Sequence, residues 1–120
     1  MYSLFFTLIL FTFMSNTGEQ LTTQEAKYVL AVAGWPQSTH ADALEVVWCE
    51  SRRIPTRIGD NGNSVGLFQI QWTPESWVGW RSYPPMESLR NKDISNPITN
   101  AKAAFIIYKN FGWEPWTCKP

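Results

Sequence analysis

Apolar residues recur at helical spacing in three stretches of the chain. The first carries Ala26, Val29, Leu30 and Ala33. Thr22 stands where it can cap that helix, and Glu25, three residues on, can reach back to close a capping box. Gly34 and Pro36 end it. The second starts near Ser38 or Thr39, sets Leu44, Val47, Trp48 and Ser51 on one stripe, and stops at Ile54-Pro55. The third begins at Asn96-Pro97, carries Ile98, Ala101, Phe105 and Tyr108 on its stripe, and ends at Gly112. Thr73-Pro74-Glu75 reads as one more helix start, with proline in the first turn where its missing N–H costs nothing. Arg57 to Val65 is a polar, glycine-bearing loop, and Tyr83-Pro84-Pro85 is another loop. The run Gly66-Leu67-Phe68-Gln69-Ile70 fits a strand or a helix equally by period. Outside the stretch from Ile58 to Gln71 no strong strand pattern occurs. The pattern predicts a mainly α or α-rich α+β domain.

One stretch departs from all of these. Leu4 to Met14 reads LFFTLILFTFM, with no charge. A bilayer-spanning helix needs about twenty apolar residues, so the run suits the core of a secretory signal, with Ser15 to Gly18 as small residues for cleavage. No Lys or Arg precedes it, and a retained N-terminal anchor or a buried core helix stay as alternatives. Residues 1–18 therefore read as a signal peptide or anchor, and residues 19–120 as one domain, secreted or periplasmic. Membrane contact is expected only through the N-terminal segment.

Composition narrows the function classes. The 120 residues are 44% hydrophobic, enough for a packed core, and 10 Lys+Arg balance 10 Asp+Glu. Zero net charge gives no support for a nucleic-acid partner, which calls for a basic surface. One His and two separated Cys lack any zinc-site spacing, so neither metal nor cofactor is implied. Seven Trp in so short a chain suit both a core and a sugar-stacking cleft. An oxidising compartment favours pairing of Cys49 with Cys118, closing a loop worth about 4 kcal/mol. The competing reading, a catalytic thiol, has only His40 as base, and a lone His is more often solvated.

Glu50, in Val-Val-Trp-Cys-Glu-Ser-Arg, is the main candidate for chemistry. It stands at a helix C-terminus, where the macrodipole disfavours a carboxylate, and its neighbours are partly apolar. Both effects favour a protonated carboxyl, as a general acid requires. An ordinary helix-end Glu paired with Arg52 or Arg53 is the competing reading.

The residues after Glu50 bear on that choice. Glu50-Ser51, then Gly59-Asp60-Asn61-Gly62-Asn63, then Gly66-Leu67-Phe68-Gln69-Ile70 resemble the lysozyme-like superfamily. Within it, the soluble lytic transglycosylase catalytic domain and goose-type lysozyme are the nearest in pattern. Phe68 stands where those proteins usually carry Met. Asn96-Pro97, Asn100-Ala101, Ala104 and the ending Gly112-Trp113 with Pro115-Trp116 resemble their last helix and tail, so the resemblance covers about residues 24 to 118. It implies an α+β fold in which helices surround a core and a short loop or β region forms one wall of a glycan cleft. It also implies cleavage of peptidoglycan glycan strands, between N-acetylmuramic acid and N-acetylglucosamine; the chain is expected to act as a monomer.

Carried over by position, Glu50 is the acid that protonates the leaving oxygen. Ser51 is the serine beside it, Gln69 a cleft residue, and Gly66 the glycine that lets the backbone pass close to substrate. Asp60 matches a goose-type aspartate that could act as second carboxylate; the bland reading of Asp60 to Asn63 is a turn. A second goose-type aspartate is replaced here by Gln71. A transglycosylase tyrosine in the last helix falls at Ile107, with Tyr108 one residue away. Trp72, Trp77, Trp80, Tyr83, Trp113 and Trp116 are candidates for stacking on sugar, and Arg52, Arg53 and Arg57 for steering an anionic wall polymer. The rival functions are a non-catalytic glycan-binding or virion-associated protein of the same fold, and a small disulfide-bonded inhibitor.

Overall fold

A computed structural model describes residues 18–72 and 79–120. The apolar run at Leu4 to Met14, the helix start at Thr73-Pro74-Glu75 and Trp77 lie outside the described residues. Helix α1 (Thr23–Val32) opens on the expected box: Glu25 N–H donates to Thr22 Oγ1 (3.0 Å), and Thr22 N–H to Glu25 Oε1 (2.8 Å). Helix α2 (His40–Ser51) follows a single 3₁₀ turn, Gln37–Thr39. Helix α3 (Pro97–Phe111) is capped by Asn96 Oδ1, which accepts from the Ile98 and Thr99 N–H groups, and ends at Gly112 with φ +61°. Helix α1 packs on both α2 and α3.

The stretch from Ile58 to Gln71 holds three two-residue strands joined by a 3₁₀ turn, Asp60–Gly62, and by a turn over residues 66–69, so the run Gly66 to Ile70 is mostly turn and enters a strand only at Ile70. Strands β1 (Ile58–Gly59), β2 (Ser64–Val65) and β3 (Ile70–Gln71) form an antiparallel sheet in that order, pairing Gly59 with Ser64 and Val65 with Ile70. The domain is thus mixed α+β, with a small sheet at one edge of a helical body. Among the described residues no helix is long and apolar enough to cross a membrane.

The α2 stripe is rotated from the expected one. Ala43, Val46, Val47 and Ser51 face the core, while Trp48 is 42% exposed. The apolar residues 43, 46 and 47 already define an inward face, and the two guanidiniums of Arg52 and Arg53 lie over Trp48 from outside, so its ring is covered by cations instead of core. His40, expected in solvent, is buried, with Nε2 2.8 Å from the Trp35 carbonyl oxygen. Trp35 anchors the centre: it stacks with Phe68 (5.3 Å between centroids) and Trp113 (5.6 Å), and its Nε1–H donates to Ala101 O.

One polar side chain joins sheet and helix. Asn100 of α3 has no exposure, yet both its donors and its acceptor oxygen are engaged: Oδ1 accepts from Phe68 N–H, and Nδ2 donates to the Val65 and Ile94 carbonyls, all at 2.9 Å. Gly66, at φ +85°, lies against this amide. A Cβ there would fall 2.3 Å from Asn100 Nδ2. The close approach that requires glycine is therefore to Asn100 and not to a substrate, which corrects the expectation for Gly66.

Candidate active site

Where α2 ends, the chain must turn sharply. Arg52 (φ +55°) and Arg53 (φ +60°) both adopt the left-handed region, at a cost of about 1–2 kcal/mol each for a residue with a Cβ. The turn is held by exchange with the N-terminal segment: Leu21 N–H donates to Arg53 O, Arg53 Nε–H to Leu21 O, and Gln20 Nε2–H to Arg52 O. Backbone strain of this kind persists only where its surroundings overdetermine it, and here it begins two residues after Glu50.

Glu50 projects from the last turn of α2 into a furrow of about 500 Å³. Its carboxyl is half-buried, and its pKa is raised above the ordinary Glu value. Loss of hydration is the main cause, the charge of Asp60 adds to it, and a hydrogen bond from Cys118 N–H to Oε2 (3.3 Å) opposes both. The pairing with an arginine weighed from sequence does not occur. Arg52 and Arg53 lie over Trp48, and among the described residues the salt bridge joins Lys119 to Glu114.

The sheet supplies the facing chemistry. Asp60 (φ +49°) begins the turn between β1 and β2, and its Oδ2 accepts from Ser64 Oγ–H at 2.5 Å. Gln69 (φ +50°) closes the turn into β3; its Nε2 donates to the Arg57 and Gly66 carbonyls, at 3.0 and 3.1 Å. Gly59 leaves room for that amide, since a Cβ there would lie 2.3 Å from Gln69 Oε1. Asp60, Ser64, Gln69 and Gln71 all line the furrow with Glu50.

The third wall is the C-terminal tail. Pro115, Trp116 and Thr117 line the furrow, and Trp80 also lines it. Trp116 is fastened by Nε1–H to Phe68 O (2.9 Å), and the tail is tied to α2 by the Cys49–Cys118 disulfide expected from the sequence. The bridge therefore holds the Cys118 N–H against the Glu50 carboxyl.

Several expected site residues stand elsewhere. Ser51 is fully buried and its hydroxyl donates to Val47 O, which is helix-end satisfaction and leaves nothing for a sugar. Trp72 is buried in the core, 7% exposed, and does not line the furrow. Tyr108 packs against Trp35 and Trp113, while the α3 residue that reaches the furrow is Ile107. Of the tryptophan and tyrosine candidates, Trp80 and Trp116 line it. Tyr83 packs edge-on to Trp80, and Trp113 lies behind Trp116. Arg52, Arg53 and Arg57 are not among its lining residues. Ser64, Pro115 and Thr117 were not foreseen; only the register that sets Ser64 opposite Gly59 brings its hydroxyl to Asp60. Among the described residues no group of three His, Cys, Asp or Glu could hold a metal ion.

Comparison of the chain with protein-family models, with curated proteins and with solved structures returns no match.

Proposed function

We propose that the chain cleaves the β-1,4 glycosidic bond between N-acetylmuramic acid and N-acetylglucosamine in peptidoglycan, with Glu50 as general acid. One observation carries the reading: a carboxyl whose surroundings favour its protonated form lines a furrow with amides and two indoles. A volume of about 500 Å³ suits a few sugar units, and the half-buried indole of Trp80 suits an apolar sugar face, with the buried Trp116 supporting the wall. Glu50 gives its proton to the glycosidic oxygen as the bond breaks, and positive charge develops on the sugar ring. Asp60 stabilises that charge and takes a proton from the attacking water. Its place on the furrow favours a hydrolase. The apolar Ile107 at the α3 position, with Tyr108 turned into the aromatic stack, speaks against the transglycosylase arrangement. On this reading the α+β architecture is a lysozyme-like one, and the sheet is one wall of the glycan cleft. The protein works as a monomer without a cofactor, and its disulfide and N-terminal apolar run suit a secreted or periplasmic protein.

The test is clearing of purified cell-wall sacculi. Glu50→Gln should lower the rate by about 10²–10⁴-fold with the fold intact, as expected for loss of a general acid. Asp60→Asn should cost a hydrolase most of its rate and leave a transglycosylase nearly unchanged. Product masses separate the two independently, because anhydro ends are lighter by one water, about 18 Da. Clearing by Glu50→Gln at the wild-type rate refutes the proposal, and binding of sacculi without release of fragments assigns the non-catalytic role instead.

A further inference from the structure

Asp60 is an exposed residue of the furrow wall, on a turn where it and Asn61 both take positive φ. An exposed carboxylate swings freely in water unless something holds it. One group does. Asp60 Oδ2 accepts from Ser64 Oγ–H at 2.5 Å, and that hydroxyl is the carboxylate's only hydrogen-bond partner among the described residues. The donor, by contrast, is fixed. Ser64 is 1% exposed and lies on β2, the central strand, paired with Gly59 on one side and Gln71 on the other. A buried hydroxyl requires a partner, and a charged acceptor makes the bond a strong one.

We infer that Ser64 is a positioning residue for Asp60, holding one carboxylate oxygen from within the sheet so that the other stands ready for water. The inference rests on the hydrolase reading above. With Oδ2 engaged, Oδ1 is left to accept the proton of the attacking water. The water oxygen bonds the anomeric carbon, the glycosidic bond breaks, and the leaving oxygen takes the Glu50 proton. A carboxylate ordered beforehand does not have to be ordered during the reaction. Ser64 lines the furrow too, so the rival role is direct contact with sugar. Its one proton is committed to Asp60, which leaves it no donor for a ligand.

The same bond bears on Glu50. Of the described residues lining the furrow, Glu50 and Asp60 are the two that titrate. Helix α3 and the tail bring Ile107, Pro115, Trp116 and Thr117, and the charged tail residues Glu114 and Lys119 pair with each other. The Asp60 charge helps to raise the Glu50 pKa. Without Ser64 the carboxylate turns into water, where solvent screens it, and that influence weakens.

Ser64→Ala, Asp60→Asn and the double variant are compared in the full chain, with folding checked by far-ultraviolet circular dichroism. Ser64→Ala removes one oxygen and keeps the β2 backbone pairing. Sacculus clearing should fall about tenfold, as for loss of one hydrogen bond to a charged group. The Glu50 carboxyl midpoint, read by NMR, should move toward acid by no more than it does in Asp60→Asn. In the Asp60→Asn background the same substitution should change neither rate nor midpoint, because no charge is left to place. A Ser64→Ala protein with the wild-type rate, or with an unmoved Glu50 midpoint, overturns the inference. So does a further tenfold loss in the double variant, which would make Ser64 a sugar contact or a merely structural residue. Failure of the reaction itself is read separately: Glu50→Gln then clears sacculi at the wild-type rate, while the Glu50 titration needs no substrate and still decides whether Ser64 holds Asp60.

Discussion

Replacing Gly66 and Asn100, singly and together, tests how the sheet is held to α3. Asn100→Ala removes three buried hydrogen bonds at once, those with the Phe68 N–H and with the Val65 and Ile94 carbonyls. At about 1 kcal/mol for each group the loss is about 3 kcal/mol. Gly66→Ala forces a Cβ to 2.3 Å from Nδ2 and 2.8 Å from Cγ of the same side chain, at φ +85°. The left-handed conformation costs about 1 kcal/mol, and expelling the amide forfeits the same three bonds, for about 4 kcal/mol in all. If the effects were independent, the double variant would lose about 7 kcal/mol. Because the alanine at 100 removes the obstruction, the double variant should lose only about 4 kcal/mol, a coupling of about 3 kcal/mol. Urea unfolding of the four proteins, disulfide intact and followed by circular dichroism and Trp fluorescence, measures it. Additivity within about 0.5 kcal/mol would show that the amide and the glycine do not share a site, and the account of this junction would be wrong.

Two further outcomes follow from the walls of the furrow. Gly59→Ala should displace the Gln69 amide, because the added carbon would meet Oε1 at 2.3 Å, and break its bonds to the Arg57 and Gly66 carbonyls; urea unfolding should show a loss of about 1–2 kcal/mol, sacculus clearing by the folded variant should fall about tenfold or more, and unchanged clearing would remove Gln69 from the site. Cys118→Ser opens a bridge spanning 69 residues, and thermal unfolding should reveal a loss of about 4 kcal/mol by the chain-entropy model. It should also free Pro115 to Thr117 from the furrow, so activity at a temperature where the variant is fully folded should drop as well; retention of full activity there would mean that the tail is not a working wall.

The helices were legible because their start and stop chemistry is local. The Thr22–Glu25 box, the Asn96 cap and the Gly112 stop all stand where the sequence places them. The α2 face was misjudged at Trp48, since a large apolar residue is assigned inward by any periodic reading, and only the guanidiniums arriving from beyond the helix end make an outward position comfortable. The sheet is legible only as a short loop or β region, because its strands are two residues each, too short for an alternating pattern, and their pairing is set by turns in which Asp60, Asn61 and Gln69 all take positive φ. In the site, Glu50, Asp60 and Gln69 were visible by resemblance of motif and do line one furrow. Ser51 and Gly66, which sit in the same motifs, serve the backbone and Asn100 instead. A motif fixes which residues travel together but not which of them face the open side. Trp116 is a sequence candidate that does line the furrow, whereas Ser64, Pro115 and Thr117 are out of reach, because their place depends on strand register and on the path of the tail.

The most direct measurement is the titration of the Glu50 carboxyl carbon by NMR, set beside the pH dependence of glycan cleavage. Burial and the Asp60 charge raise this pKa, so the midpoint should lie above that of an ordinary glutamate. The alkaline fall in cleavage rate should follow the same midpoint, because the acid loses its proton there. Asp60→Asn removes one of the two raising influences and should move the midpoint toward acid. A Glu50 carboxyl that titrates at or below the ordinary value, or a cleavage rate indifferent to its ionisation, contradicts the account.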